Sequence, residues 1–259
     1  MPDHADSPAF ERPFVYEALA TKALYFSISE IQSRMLILEP DVLDLEYTRV
    51  MMGFLMFEPQ PRRIGMIGLG GGSLAKFCYR HLPQAHIEVV EINPHVIELR
   101  DEFQVPPDDQ RFTVACGCGA AFVQSPSAPF DVLLVDGYDR DGQSTPLASQ
   151  RFYDDCRAAL GARGVMVANL HAGHPEHAQQ LERIRLSFGG SVVTVGDDDC
   201  GNSLVFGLKG HPIDGHTLGP LARPTGLDRQ AWAQLMPSFS RLAAALRNER
   251  LPPRVPDLG

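Results

Sequence analysis

Short apolar runs alternating with amphipathic stretches organise most of the chain. Ahead of them, residues 1–13 carry Pro2, Pro8 and Pro13 and read as a loose tail. Two β-like pieces follow, Ala23–Ile28 and Arg34–Leu38, the second closed by a Glu39-Pro40-Asp41 turn, and they predict a small antiparallel sheet. Leu43–Phe57 has a helical pattern that stops at Pro59. After Pro61 the pattern changes to strand and helix in turn. Arg63–Ile67 is a buried-strand run, Ser73–His81 a helix, and Ile87–Val90 a second strand closing on Glu91, with a helix from Pro94. Phe112–Ala115, Asp131–Val135 and Gly164–Ala168 continue the strands; Gln150–Leu160 and Pro175–Phe188 continue the helices. Ser191–Val195 and Ser203–Leu208 are late strands, and Asp228–Arg250 reads as a helical tail broken at Pro237. Apolar strands separated by helices predict a doubly wound, mostly parallel, Rossmann-like α/β sheet with a small N-terminal β-sheet subdomain. The expected division is 1–60 for the tail, subdomain and linking helix, 61–210 for the main domain, and 211–259 for a C-terminal helical tail.

Composition narrows the function classes. With 259 residues, 44% of them hydrophobic and 21% charged, the chain is long enough for one large α/β domain with appendages and is not of disordered composition. Its 23 Lys and Arg against 32 Asp and Glu leave a net charge of −9, which argues against a nucleic-acid partner. The longest uncharged apolar run, Val50–Phe57, is far short of the ~20 residues a bilayer needs, so no membrane partner is expected. The start Met1-Pro2-Asp3-His4 lacks a signal-peptide profile, and a cytoplasmic protein is the expectation. Five scattered cysteines (Cys78, Cys116, Cys118, Cys156, Cys200) read as reduced thiols.

In a doubly wound sheet, ligands bind beyond the carboxyl ends of the strands. Four segments fall there. Gly68-Leu69-Gly70-Gly71-Gly72-Ser73 is a turn that lets a ligand approach the backbone and a helix start, although Ser73 breaks the G-x-G-x-x-G dinucleotide pattern. The bland alternative is a tight strand–helix turn. Glu91 ends the second strand about 20 residues later, where a carboxylate can accept both ribose hydroxyls; alone it would read as a surface acid. Together they predict a nucleoside-bearing ligand. Cys116-Gly117-Cys118-Gly119 fits a glycine-rich wall around a purine better than a metal site, which would want more ligands. Asp136-Gly137-Tyr138-Asp139 puts two carboxylates before a polar loop, Arg140–Pro146, able to act as a lid; a carboxylate there can hold an amine and take its proton, or merely cap a turn. His171, His174 and His177 could offer metal ligands, but their spacing does not force them together, and a single His171 contact with substrate is the preferred reading. No metal is expected.

Arranged in this way, the chain resembles the spermidine synthase (polyamine aminopropyltransferase) family, a branch of the S-adenosylmethionine-dependent methyltransferase fold. The likeness runs from about Phe26 to Leu208 and is most specific in Phe130–Asp139, continuing through Gly142 and Leu147 to Phe152-Tyr153. Ile67–Gly72 matches the family's glycine turn, Val89–Asn93 its Val-Glu-Ile-Asp, Gln32 the glutamine of its Tyr-Gln pair, and Tyr47 the tyrosine of its Tyr-His-Glu segment.

The resemblance implies roles. Glu91 would hold the ribose, with Gln32, Gly68, Gly70, Gly71, Ser73, Gly117, Cys118 and Asp136 around the nucleoside donor. Asp136 would take or orient the proton of the attacking amine, Asp139 would bind that amine from the lid, and Tyr47 would position the reacting groups. The donor would be decarboxylated S-adenosylmethionine, the partner a small-molecule amine, and the assembly a homodimer. Four departures open alternatives. The family's aspartate after the glycine turn, which receives the donor's amino group and repels the carboxylate of intact S-adenosylmethionine, is here Ser73, so discrimination between the two donors should weaken. Cys118 replaces the aspartate that reads the adenine, and Thr48-Arg49 replaces His-Glu, while Asp197–Gly201 stands in for a late Tyr-Pro-x-Gly element. A methyltransferase using intact S-adenosylmethionine is the second reading, and a nucleoside-binding homologue with a decayed site the third.

Overall fold

The structure, a computed structural model, describes residues 10–27, 30–139, 142–143, 145–196, 201–211 and 223–248. It opens with β1 (Phe14–Glu17), β2 (Thr21–Ser27) and β3 (Glu30–Leu36), a three-stranded antiparallel sheet in the order β1-β2-β3. The first of these strands lies just beyond the stretch read as a loose tail and was not expected, because its four residues show three exposed side chains and no buried face. The chain then forms α1 (Glu46–Met51), which runs on as a 3-10 helix, Met52–Met56.

The alternating part follows: β4 (Arg63–Ile67), α2 (Ser73–His81), β5 (His86–Glu91), the single turn α3 (Pro94–Ile97), β6 (Phe112–Cys116), α4 (Gly119–Gln124) and β7 (Phe130–Val135). A two-stranded ribbon of β8 (Tyr138–Asp139) and β9 (Gly142–Gln143) leads to α5 (Gln150–Ala159), β10 (Leu160–His171), α6 (His177–Ser187), β11 (Val192–Gly196), β12 (Asn202–Lys209) and α7 (Arg229–Asn248). Among the described residues, seven strands form the main sheet in the order β11-β12-β10-β7-β4-β5-β6. β10, β7, β4, β5 and β6 are mutually parallel, and β12 pairs antiparallel with both β10 and β11. The central strands β4 and β7 are mostly apolar because both faces are covered. Along β7, Val132 and Leu134 enter one buried cluster, with α2 and α7, while Leu133 and Val135 enter the other, with α5 and α6. That is the two-residue period of a strand.

Two expectations change. The C-terminal helix is not broken at Pro237: α7 runs unbroken from Arg229 to Asn248. Pro in a helix interior costs about 3 kcal/mol. A buried stripe of Ala231, Leu235, Phe239, Leu242 and Leu246, packed near α1 and β11, offsets it, since fully burying one such side chain contributes about 1.5–3 kcal/mol. The sixth helix begins at His177, two residues after Pro175, with the His177 N–H donating to the His174 carbonyl (3.0 Å).

Candidate active site

The chain leaves β4 at Ile67 and must turn between its two neighbouring strands. The Gly68 N–H donates to the Val90 carbonyl of β5, and the Asp136 N–H donates to the Ile67 carbonyl, both at 2.9 Å. Gly68 has φ +94°, and a Cβ there would lie 2.3 Å from the Asp136 carbonyl oxygen. Only glycine fits. The turn therefore lies flat against β5 and β7, and α2 starts behind it from Gly72, itself at φ +69°.

Sheet order then lays the chemistry out along a line. β6 ends in Gly117 and Cys118, β5 in Glu91, β4 in the glycine turn and β7 in Asp136. All of these positions line a single cleft of about 860 Å³, which Gln32, Ser33, Tyr47, Ser73, Asn169 and His171 also reach. Gly70 is on the wall; Gly71 is not, and faces inward, where a Cβ would stand 2.7 Å from Ser33 Oγ and 2.9 Å from the Phe103 ring. Asp139 lies in β8, but its side chain, the loop residues Arg140, Asp141 and Ser144, and Asp197–Cys200 lie outside the described residues.

Glu91 and Asp136, two of the acids that line the cleft, are held by different means. Glu91 is 8% exposed and accepts the Leu69 N–H at Oε2 (2.8 Å) and the Asn93 N–H at Oε1 (2.9 Å). Burial pushes its carboxyl above the ordinary glutamate range, opposed by the backbone N–H groups of Asn93, Leu69, Ile92 and Gly70. Asp136 accepts the Asn169 amide at Oδ1 (2.9 Å) and the Tyr47 hydroxyl at Oδ2 (3.2 Å). Burial raises its carboxyl too; the hydrogen bonds from Asn169 and Tyr47 hold it down, and the neighbouring Glu91 charge pushes it up. The Tyr47 hydroxyl stands 3.5 Å from the Gln32 carbonyl, so α1, β3 and β7 meet at one phenol.

Two contributors escaped sequence reasoning. Asn169 is 3% exposed near the carboxyl end of β10, within Val165–Leu170, where every other side chain is apolar. A lone amide at the ligand end of a buried strand is the signal that could have found it. Ser33, on β3, gave no local signal. Cys118 precedes α4, a helix that the pattern did not predict, and is exposed to the cleft. Arg49, where the family has a glutamate, turns its guanidinium onto the carbonyls of Leu43 (2.7 Å) and Asp44 (2.8 Å), and the Thr48 hydroxyl donates to Leu45 O (2.6 Å). Of the three histidines only His171 reaches the cleft. Among the described residues, no three His, Cys, Asp or Glu side chains are grouped to hold a metal ion.

The family model described as the spermine/spermidine synthase domain matches residues 45–186. The chain is similar to the polyamine aminopropyltransferase of Chromobacterium violaceum, 36% identical over 192 residues that cover 74% of each chain. Among solved structures it resembles a probable spermidine synthase from Corynebacterium glutamicum (TM-score 0.66, 19% identity, 76% of each chain covered). It also resembles human methyltransferase-like protein 13 in complex with SAH (TM-score 0.56, 19% identity, 83% of this chain and 96% of that one). At those identities the structures show the shared α/β fold. With a family model matching more than half its length and that level of identity to a relative, the chain belongs to the spermine/spermidine synthase family.

Proposed function

We propose that this chain is an aminopropyltransferase of polyamine biosynthesis that moves the aminopropyl group of decarboxylated S-adenosylmethionine onto a small amine. One observation carries it: Glu91 and Asp136, 45 positions apart by their numbers, line one cleft on either side of the glycine turn. In this reading Gly117 and Cys118 flank the purine, and Glu91 accepts the ribose hydroxyls. The sulfonium lies over Gly68 and Gly70, between Gln32 and Asp136. The amine nitrogen attacks the carbon beside sulfur, the C–N bond forms, the C–S bond breaks, and sulfur leaves as a neutral thioether. The proton lost from nitrogen passes to Asp136, ionised and oriented by Tyr47 and Asn169. Free amines have pKa values of about 10, so removing that proton and aligning nitrogen with carbon are where the barrier falls.

Incubation of the chain with decarboxylated S-adenosylmethionine and putrescine, followed by mass spectrometry, should show the aminopropyl adduct and methylthioadenosine. A methyl adduct from intact S-adenosylmethionine, with no aminopropyl product, would overturn the reading. Methyl transfer is the second reading, and Ser73 is the observation that favours it. We also infer a cytoplasmic homodimer. No helix among the described residues is long and apolar enough to cross a membrane, and Phe14 (44% exposed), Tyr16 (61%) and Ile31 (40%) leave an apolar surface on the N-terminal sheet.

A further inference from the structure

In the proposed reading of the cleft, the far end of the donor lies over the turn from β4 to α2, where Ser73 opens the helix. Ser33 arrives there from β3 in the separate N-terminal sheet. It is 5% exposed, and its Oγ lies 3.4 Å from Ser73 Oγ. Its Cβ would sit 3.6 Å from a Cβ built on Gly70, and its hydroxyl fills the space that a side chain on Gly71 would need. Ser33 thus packs against the glycine turn at the edge of the cleft. Both serines line the same cleft as Glu91 and Asp136. The first turn of α2 holds no acidic residue, and its N-cap, Gly72, makes no side-chain cap.

We propose that Ser33 and Ser73 form a neutral, hydroxyl-donating end to the donor site that accepts a carboxylate, making Ser33 a specificity-determining residue. The chain then binds intact S-adenosylmethionine about as well as the decarboxylated donor. This rests on reading the cleft as a nucleoside-sulfonium site. The chemistry follows from what each group can donate. A hydroxyl gives one O–H and also accepts, so the pair can serve either a carboxylate or an ammonium. An ionised aspartate at position 73 would only accept, and its charge would repel a carboxylate a few ångströms away. The backbone N–H groups of the first turn of α2 add a favourable field for an anion.

Calorimetry on the full chain with methylthioadenosine, S-adenosylmethionine and decarboxylated S-adenosylmethionine tests this, because the first ligand lacks the donor's tail. In the wild type the latter two should bind with affinities within about fivefold of each other, a gap smaller than one net hydrogen bond to a charged group. Ser73→Asp should shift the ratio of the two affinities by at least about tenfold toward the decarboxylated form. Ser33→Ala should weaken S-adenosylmethionine by roughly threefold to tenfold, while methylthioadenosine changes by less than about twofold. Ser33→Ala decides the matter if Ser73→Asp does not fold. Wild-type protein that binds methylthioadenosine but excludes S-adenosylmethionine overturns this inference and leaves the nucleoside reading standing. Absence of methylthioadenosine binding ends both.

Discussion

Glu91 and Asp136 are two buried carboxylates at the ends of strands that both flank β4, and burial pushes both upward in pKa. They differ in what holds them. Glu91 is gripped by main-chain N–H groups of its own loop and of the glycine turn, partners that a side-chain substitution other than proline leaves in place. Asp136 depends on side chains delivered by α1 and β10. A group fixed by backbone suits a constant task such as gripping a sugar. A group fixed by replaceable side chains can have its proton affinity tuned, which is what proton transfer demands. In the proposed reaction, binding and chemistry separate onto two acids through the origin of their hydrogen bonds.

The sharpest way to break this comparison is to neutralise each acid in turn. Asp136→Asn should lower turnover by about 10²–10⁴-fold, the range for losing a general base, with methylthioadenosine affinity kept in calorimetry. If affinity falls as far as turnover, the division of labour is wrong. Glu91→Gln should weaken donor binding by about 1–3 kcal/mol, because the ribose hydroxyls would lose a charge-assisted hydrogen bond. Unchanged affinity would remove the ribose assignment.

Smaller changes probe the tuning. Tyr47 and Asn169 both hold the Asp136 carboxyl down, so Tyr47→Phe or Asn169→Ala should raise it. The ionised form then appears at higher pH, and the acid limb of the rate profile should move up. A net bond of about 1 kcal/mol corresponds to about 0.7 pH unit. No such lever exists for Glu91. Away from the cleft stands Lys76, fully buried in α2, whose ammonium donates to the Phe103 carbonyl (2.7 Å) and is pushed down by burial to about 8. Its charged form opposes folding, and that penalty fades as pH rises from 8 toward the ordinary lysine value of 10.5. The Tm of Lys76→Met relative to wild type should therefore be highest below pH 8 and decline toward pH 10.5. A flat difference across that range would show that the buried ammonium carries no such penalty.

Much of the main sheet was legible in the residues. Arg63–Ile67 and Ser73–His81 have the predicted bounds, because a continuous apolar run, then glycines, then a polar-to-apolar rhythm of helical period leave few alternatives. β1 was invisible because it buries no face of its own, and α4 because Gly119–Gln124 is too short to show a period. Pro237 misled for a physical reason: a local rule against proline in helices was outweighed by burial along α7, which no local pattern records.

Within the site the same line can be drawn residue by residue. The sequence by itself determined the glycine turn, Glu91 at the end of β5 and Asp136 at the end of β7, because strand ends and backbone geometry are local properties of a chain. Only the tertiary structure decided that Asn169 and Ser33 belong with them, and that Tyr47, already placed in the site by resemblance, bonds Asp136. Their side chains come from α1, β10 and the N-terminal sheet, and hydrogen bonds between elements so far apart form only when packing of the whole molecule brings those elements together.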